Sequence, residues 1–155
     1  MTQLQVGDSA PNFEGIIQDG TTLKLSDLSG KKVVLYFYPK DMTPGCTAQA
    51  CNLGENYSAL TNQGFEIVGV SADSVARHQK FTDKYSLPFP LIADEDLQII
   101  KSYGVWGPKK FIGKEYDGIH RTTFIINEKG IIEKVILKVN TKTHTEQILE
   151  EMGIS

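Results

Sequence analysis

Two apolar, β-rich runs restrict the fold more than anything else in this chain. Lys32-Val33-Val34-Leu35-Tyr36-Phe37-Tyr38 is ended by Pro39, and Phe65-Glu66-Ile67-Val68-Gly69-Val70-Ser71 is a second run of the same kind. Neither alternates cleanly between apolar and polar residues. Near-continuous runs fit strands covered on both faces, as in a parallel sheet. Parallel neighbours need a crossover of helical length. The segment from Pro44 to Asn62 has that length and a helical spacing of apolar residues, which makes a βαβ unit.

The remaining elements follow from local signals. Asp19-Gly20 reads as a turn between strands over 12–17 and 21–25. Ser74 to Tyr85 reads as a helix, Pro90-Leu91-Ile92 as a short strand, and Asp94 to Tyr103 as a further helix. Gly104 to Gly118, rich in glycine and aromatics, reads as a long loop. Strands over 121–126 and 131–138 flank the turn Asn127-Glu128-Lys129-Gly130, and a helix over 143–152 follows. The pattern predicts an α/β fold of thioredoxin-like outline: a central mixed sheet flanked by helices, with an N-terminal extension. One domain is expected over 1–155, a length that buries roughly two-thirds of the unfolded surface.

That core needs no disulfide scaffold, so the two cysteines, Cys46 and Cys51, require another explanation. A net charge of −3 argues against nucleic acid as a partner. The first residues have neither a basic start nor a signal-like apolar stretch, and no apolar run is long enough to span a bilayer. A soluble, cytoplasmic protein with reduced thiols is therefore expected, without membrane contact.

Thr43-Pro44-Gly45-Cys46 opens the first long helix. Thr43 is a good N-cap, its hydroxyl placed to accept a bond from a first-turn amide. Pro44 falls at the first helical position, where its missing N–H costs nothing. Cys46 is then third in the helix, where the macrodipole favours the thiolate, the nucleophilic form. Burial statistics alone give an inert core thiol about half the weight; the place of Cys46 at a helix start after a buried strand argues for reactivity. At 100° per residue, Ala50, Leu53, Tyr57 and Leu60 fall within about 40° of Cys46, on the apolar face. Cys51 falls about 140° away, on the polar face with Glu55, Ser58 and Asn62. In an intact helix the two Cα atoms are roughly 8.7 Å apart, beyond the usual disulfide limit of about 7 Å. A bond between them requires local unwinding. Gly54, Asn52 and Asn56 are poor helix formers and favour it.

The stretch Tyr38-Pro39-Lys40-Asp41-Met42-Thr43-Pro44-Gly45-Cys46-Thr47-Ala48-Gln49-Ala50-Cys51 resembles the active-site signature of the peroxiredoxins. Within them it is similar to the bacterioferritin comigratory protein, or Q-type, subfamily. Val6-Gly7-Asp8, Ala10-Pro11, Phe13, Tyr103-Gly104-Val105-Trp106-Gly107 and Arg121-Thr122-Thr123-Phe124-Ile125-Ile126 carry the same resemblance across the chain. It implies a thiol-dependent peroxidase acting on hydrogen peroxide and organic hydroperoxides. Cys46 would be the peroxidatic thiol, Cys51 the resolving thiol, and Pro39, Thr43 and Arg121 the residues around the peroxide. Thioredoxin or a similar dithiol would reduce the disulfide, and no metal or organic cofactor is implied. A monomer is expected, with a dimer as the alternative. Where peroxiredoxins often carry Glu three residues after the nucleophile, this chain has Gln49, so a carboxylate role is absent there.

The sequence independently makes Arg121 plausible: a strand antiparallel to the buried pair would begin at the sheet edge where Cys46 lies, the usual edge for sites in open α/β sheets. A lone strand-end arginine by itself more often snorkels to solvent, and the resemblance assigns it to the site. Thiolate formation alone is insufficient chemistry. Lowering a thiol pKa by about two units raises the ionised fraction some 25-fold at neutral pH, but a Brønsted slope near 0.45 returns about 8-fold of it. The remainder must come from polarising the O–O bond, assigned to Thr43, Arg121 and first-turn amides. His78, His120 and His144 are scattered, and the cysteine spacing is not that of a zinc site. Lys109, Lys110 and Lys114 beside Trp106, Phe111 and Tyr116 read as a solvated loop. The rival reading is a thioredoxin-like thiol-disulfide oxidoreductase without peroxidase activity, disfavoured because that chemistry uses Cys-x-x-Cys.

Overall fold

The computed structural model describes residues 2–154; the domain expected over 1–155 extends one residue beyond them at each end. The strands are β1 (Glu14–Ile17), β2 (Thr22–Lys24), β3 (Lys32–Phe37), β4 (Phe65–Ser71), β5 (Leu91–Ala93), β6 (Trp106–Phe111), β7 (Lys114–Ile119), β8 (Thr122–Ile126) and β9 (Ile132–Ile136). The helices are α1 (Pro44–Glu55), α2 (Tyr57–Asn62), α3 (Val75–Tyr85), α4 (Gln98–Ser102) and α5 (His144–Glu151). Seven strands form one mixed sheet in the order β2-β1-β5-β4-β3-β8-β9. β3, β4 and β5 are parallel, and β8 runs antiparallel to β3 with Thr122 opposite Phe37. β1 and β2 extend the β5 edge as an antiparallel addition, the expected N-terminal extension.

Both faces of the central strands are covered, which is why their sequence does not alternate. Val33, Leu35 and Phe37 face one core with Ile99, Tyr103 and Phe124. Val34, Tyr36 and Tyr38 face the other with Ala50, Leu53, Leu60, Phe81 and Ile148, the buried side chains of α1, α2, α3 and α5. Cys46 belongs to this second core.

Three expectations change. Residues 104–118, read as a loop, contain the β6–β7 hairpin, a separate two-stranded sheet. Its tip, Ile112-Gly113, has positive φ at both residues (50° and 73°), the requirement of a two-residue type I′ turn. Its strands are mostly solvent-exposed, so they carry no alternating apolar pattern, and Pro108 is tolerated because each strand has only one partner. The helix read over 44–62 is two helices broken at Asn56, whose ψ of 11° leaves the α region. The helix read from Asp94 starts at Gln98, because Leu97 takes a left-handed conformation (φ 64°). The Asp94 carboxylate accepts from the Ile100 amide at 2.7 Å, satisfying a first-turn donor.

α5 is anchored by His144, which is fully buried. Its Nδ1 faces Gln147 Oε1 at 2.9 Å, an acceptor, so Nε2 accepts from the Thr123 hydroxyl, also at 2.9 Å. Burial disfavours the imidazolium, with the Arg121 charge acting in the same direction, and pulls the pKa down to about 4. The folded pKa therefore lies below the unfolded one, and the neutral ring contributes its full stability above about pH 6.5. That contribution falls as pH drops toward 4. Across this window His144→Gln should lose about 3 kcal/mol less than the native chain, measured as the difference in urea unfolding free energy between pH 7 and pH 4.

Candidate active site

Cys46 is the third residue of α1, and Pro44 is the first, as the sequence predicts. The amides of Gly45 and Cys46 precede the first intrahelical acceptor and are free by helix geometry; the Thr47 amide closes the first turn on the Thr43 carbonyl at 2.9 Å. Cys46 is 1% exposed, and both cysteines are free thiols. Arg121 immediately precedes β8, at the carboxyl edge of β3. Its Nη2 donates to Cys46 Sγ at 3.1 Å and its Nη1 to Gln49 Oε1 at 2.5 Å. Gln49 thus supplies through an amide oxygen the acceptor that a carboxylate would otherwise provide. The Gln49 Nε2 and the Tyr36 hydroxyl are the buried side-chain polar atoms without a partner among the described residues. Burial, with the charges of Cys46 and Asp41, holds the Tyr36 hydroxyl well above its ordinary pKa, so it remains a protonated donor.

Thr43 is the N-cap, but its side chain does not cap. The hydroxyl instead donates to the Lys40 carbonyl at 2.8 Å, closing the loop that joins β3 to α1. That commitment leaves the Thr43 oxygen as an acceptor toward solvent. Pro39, half-buried, starts the same loop, and Met42 within it takes a left-handed conformation (φ 67°). Such a backbone persists only where its surroundings fix it.

What fixes it is a buried polar network that sequence reasoning missed. Asp41 is 1% exposed; its Oδ1 accepts from the Tyr38 hydroxyl and its Oδ2 faces His78 Nδ1, each at 2.6 Å. The other ring nitrogen of His78 faces the Ile92 carbonyl at 2.9 Å. Both ring nitrogens thus have oxygen partners, which fixes the ring between the loop and β5. The Asp41 amide donates to Asp73 Oδ2 at 2.8 Å, and Arg77 bridges Asp73 Oδ1 and the Asp41 carbonyl. Asp41, Asp73 and His78 place ligand atoms within 4.8 Å of one another, and each of them is engaged by protein hydrogen bonds. The only signal in the sequence was Asp41 itself, a carboxylate inside the motif between Lys40 and Met42.

Cys51 is half-buried rather than free on a polar face: it lines a shallow hollow with Gly54, Glu55 and Leu87. Burial first, and the Glu55 carboxylate second, push its thiol above the ordinary value. Gly54 has a packing reason as well as a weak propensity, since a Cβ there would lie 3.3 Å from Pro88 Cδ. α1 is continuous from Pro44 to Glu55, so the thiols remain separated by intact helix. Lys109, read as part of a solvated loop, folds back and donates from Nζ to the Ile119 carbonyl at 2.8 Å. Its burial and the Arg121 charge hold its pKa below the usual lysine range. A broad hollow bounded by Ala10, Leu25, Val33 and Gly130 lies at the opposite sheet edge and offers neither cysteine nor histidine.

A mixed sheet with a buried thiol at the start of the helix after its first parallel strand, faced by an arginine, defines a thioredoxin-like thiol enzyme. Comparison with known proteins narrows the class. Residues 6–135 match the AhpC/TSA family. The chain is 45% identical to peroxiredoxin Bcp of Escherichia coli over 149 residues, 96% of each chain. It is 43% identical to peroxiredoxin Bcp of Bacillus subtilis, covering 96% of this chain and 95% of the relative. A cysteine-to-serine mutant of PrxQ from Xylella fastidiosa superposes with a TM-score of 0.92 at 29% identity, over 99% of this chain and 98% of that one. The bacterioferritin comigratory protein of Xanthomonas campestris, described with alkyl peroxide reduction activity, gives a TM-score of 0.87 at 30% identity over 99% and 98%. The chain belongs to the AhpC/TSA family, in its peroxiredoxin Bcp branch, and is a thiol-dependent peroxidase that takes a peroxide and a thiol reductant. The purely disulfide-exchanging alternative is not favoured. No helix among the described residues is long and apolar enough to cross a membrane.

Asp41→Asn should destabilise the chain by about 3–5 kcal/mol, the usual cost of breaking a buried pair by removing one partner. Urea unfolding at neutral pH measures it; a loss under about 1 kcal/mol would mean that the loop is held by Asp73 and Arg77 alone.

Proposed function

We propose that Cys46 is the peroxidatic thiolate and Cys51 the thiol that resolves it within the same chain. The observation that carries this reading is the guanidinium of Arg121 against the Cys46 sulfur at the start of α1. The thiolate attacks one oxygen of ROOH; the O–O bond breaks, and with one proton the products are the Cys46 sulfenic acid and ROH. Thr43, its own proton engaged by Lys40, accepts the hydroperoxide O–H and orients it. Arg121 and the free amides of Gly45 and Cys46 stabilise the charge on the departing oxygen. Pro39 fixes the backbone where the loop leaves β3. The Cys51 thiol then displaces water from the sulfenic acid to form the disulfide, and an external dithiol of the thioredoxin type returns both thiols while being oxidised itself.

The substrates we assign are hydrogen peroxide and organic hydroperoxides, since nothing in the loop demands a particular R group. The chain is read as one domain and a monomer in the cytoplasm, where its two free thiols stay reduced.

Intact mass after one equivalent of peroxide tests the reading. The native chain should lose about 2 Da as the disulfide forms, whereas Cys51→Ser should gain about 16 Da as a sulfenic acid and about 32 Da under excess peroxide. Cys46→Ser should show neither change and no turnover. A single-turnover rate that falls in Cys51→Ser would contradict the division of roles.

Arg121→Lys keeps the charge but should lower the rate of peroxide attack by about 100-fold, the scale of losing one charge-stabilising donor. The planar fork holds Gln49 and Cys46 at once, and an ammonium presents only a point charge. Stopped-flow oxidation of Cys46 measures this; a near-native rate in the lysine variant would reduce Arg121 to a distant charge.

A further inference from the structure

The residue next to the resolving thiol holds another helix in place. Thr143, the N-cap of α5, makes no side-chain capping bond. The Thr145 amide in the first turn of α5 is instead capped by Asn52 Oδ1 of α1, at 2.8 Å. Thr145 is 2% exposed, so water cannot replace that acceptor. The Asn52 carbonyl accepts in addition from the Thr145 hydroxyl at 3.3 Å and from Asn56 Nδ2 at 2.8 Å. Behind these bonds Ile148 of α5 shares a core with Ala50 and Leu53 of α1. Asn52 directly follows Cys51, so the turn of α1 that must unwind to bring Cys51 to Cys46 is the turn that caps α5.

We propose that Asn52 is a positioning residue for the resolving step, a latch that holds α1 wound by capping α5 and whose release carries the redox state of the thiols to the C-terminal helix. The latch rests on the reading that Cys46 and Cys51 join within one chain. While Asn52 caps Thr145, α1 keeps Cys51 a helix turn and more from the sulfenic acid. Closure of the disulfide withdraws Asn52 and leaves a buried amide of α5 without its acceptor. The first turn of α5 then frays, and the packing of Ile148, Leu149 and Met152 loosens with it. The latch also sets how long the sulfenic acid waits, and therefore how readily excess peroxide carries it on to the sulfinic acid.

The sign of one substitution separates this from simple helix stability. Asn52→Ala raises the helix propensity of α1, which by itself slows closure. Removing the cap frees α1 from α5, which speeds it. We expect the latch to dominate. Disulfide formation in Asn52→Ala should be about threefold faster than in the native chain, with sulfenic acid formation unchanged and less over-oxidation under excess peroxide. Quenched-flow intact mass on the full-length protein reads all three.

Hydrogen exchange gives the second readout and needs no variant. In the native chain, oxidation by one equivalent of peroxide should cut the protection of the Thr145 amide about fivefold or more. Reduced Asn52→Ala should show that loss already. Equal protection of Thr145 in reduced and oxidised native protein, once the disulfide is proven by mass, would overturn the latch alone. So would closure in Asn52→Ala at the native rate or slower. A native chain that shows no loss of about 2 Da would remove the intramolecular disulfide and the latch with it.

Discussion

Arg121 and Cys46 are 75 residues apart in sequence, and the guanidinium meets the sulfur at 3.1 Å. Their contact sets terms for everything around it. A sulfur 1% exposed among tyrosine and aliphatic side chains is a poor place for negative charge. Only a fixed cation and free amides at a helix start make an anion tolerable there. The cation must therefore be immobile, and three features hold it: β8 pairs antiparallel with β3, Gln49 takes the second arm of the guanidinium, and α1 begins directly behind the sheet edge. Gln49 does this without charge, so no carboxylate offsets the arginine's positive charge beside the sulfur.

The loop between β3 and α1 is the next dependent part. It carries Pro39 and Thr43 and leads into the first-turn amides of α1, and it includes a left-handed methionine that a free loop would not adopt. Asp41 pins it to the sheet through Tyr38, to α3 through His78, and to the end of β4 through Asp73. Charges this deeply buried are costly unless paired. Their value here is geometric: the network fixes the loop that carries the groups proposed to meet peroxide.

Much of this was legible in the sequence, and the reason is locality. The buried strands announce themselves through unbroken apolar runs, and Thr43-Pro44 marks the start of α1 through chemistry confined to one turn. Arg121 was placeable because strand direction alone decides which edge it reaches. What escaped was decided at a distance. Nothing near Thr43 says that Lys40, rather than a first-turn amide, will claim its hydroxyl. His78 is 37 residues from Asp41 and Asn52 is 93 from Thr145, so neither partnership leaves a periodic trace. The β6–β7 hairpin escaped for the opposite reason: only Trp106, Gly107 and Ile119 at its base reach the core, and the rest faces solvent with little to impose a pattern.

The two ends of α1 consequently face opposite demands. In the proposed cycle its first turn must stay formed to aim amides at the peroxide, while its last two turns must come apart for Cys51 to reach the sulfenic acid. The unwinding does more than close a distance. In the wound helix, burial and Glu55 one turn ahead hold the Cys51 thiol above its ordinary pKa. Once the helix opens, Cys51 leaves its hollow and its fixed spacing from Glu55, and both causes fall away together. Gly54 keeps the wound state close against Pro88, where a Cβ would crowd at 3.3 Å, while weakening the helix it belongs to. On this reading a single local transition brings Cys51 to the sulfenic acid and removes the two causes that raise its pKa, so proximity and an ordinary thiol arrive together.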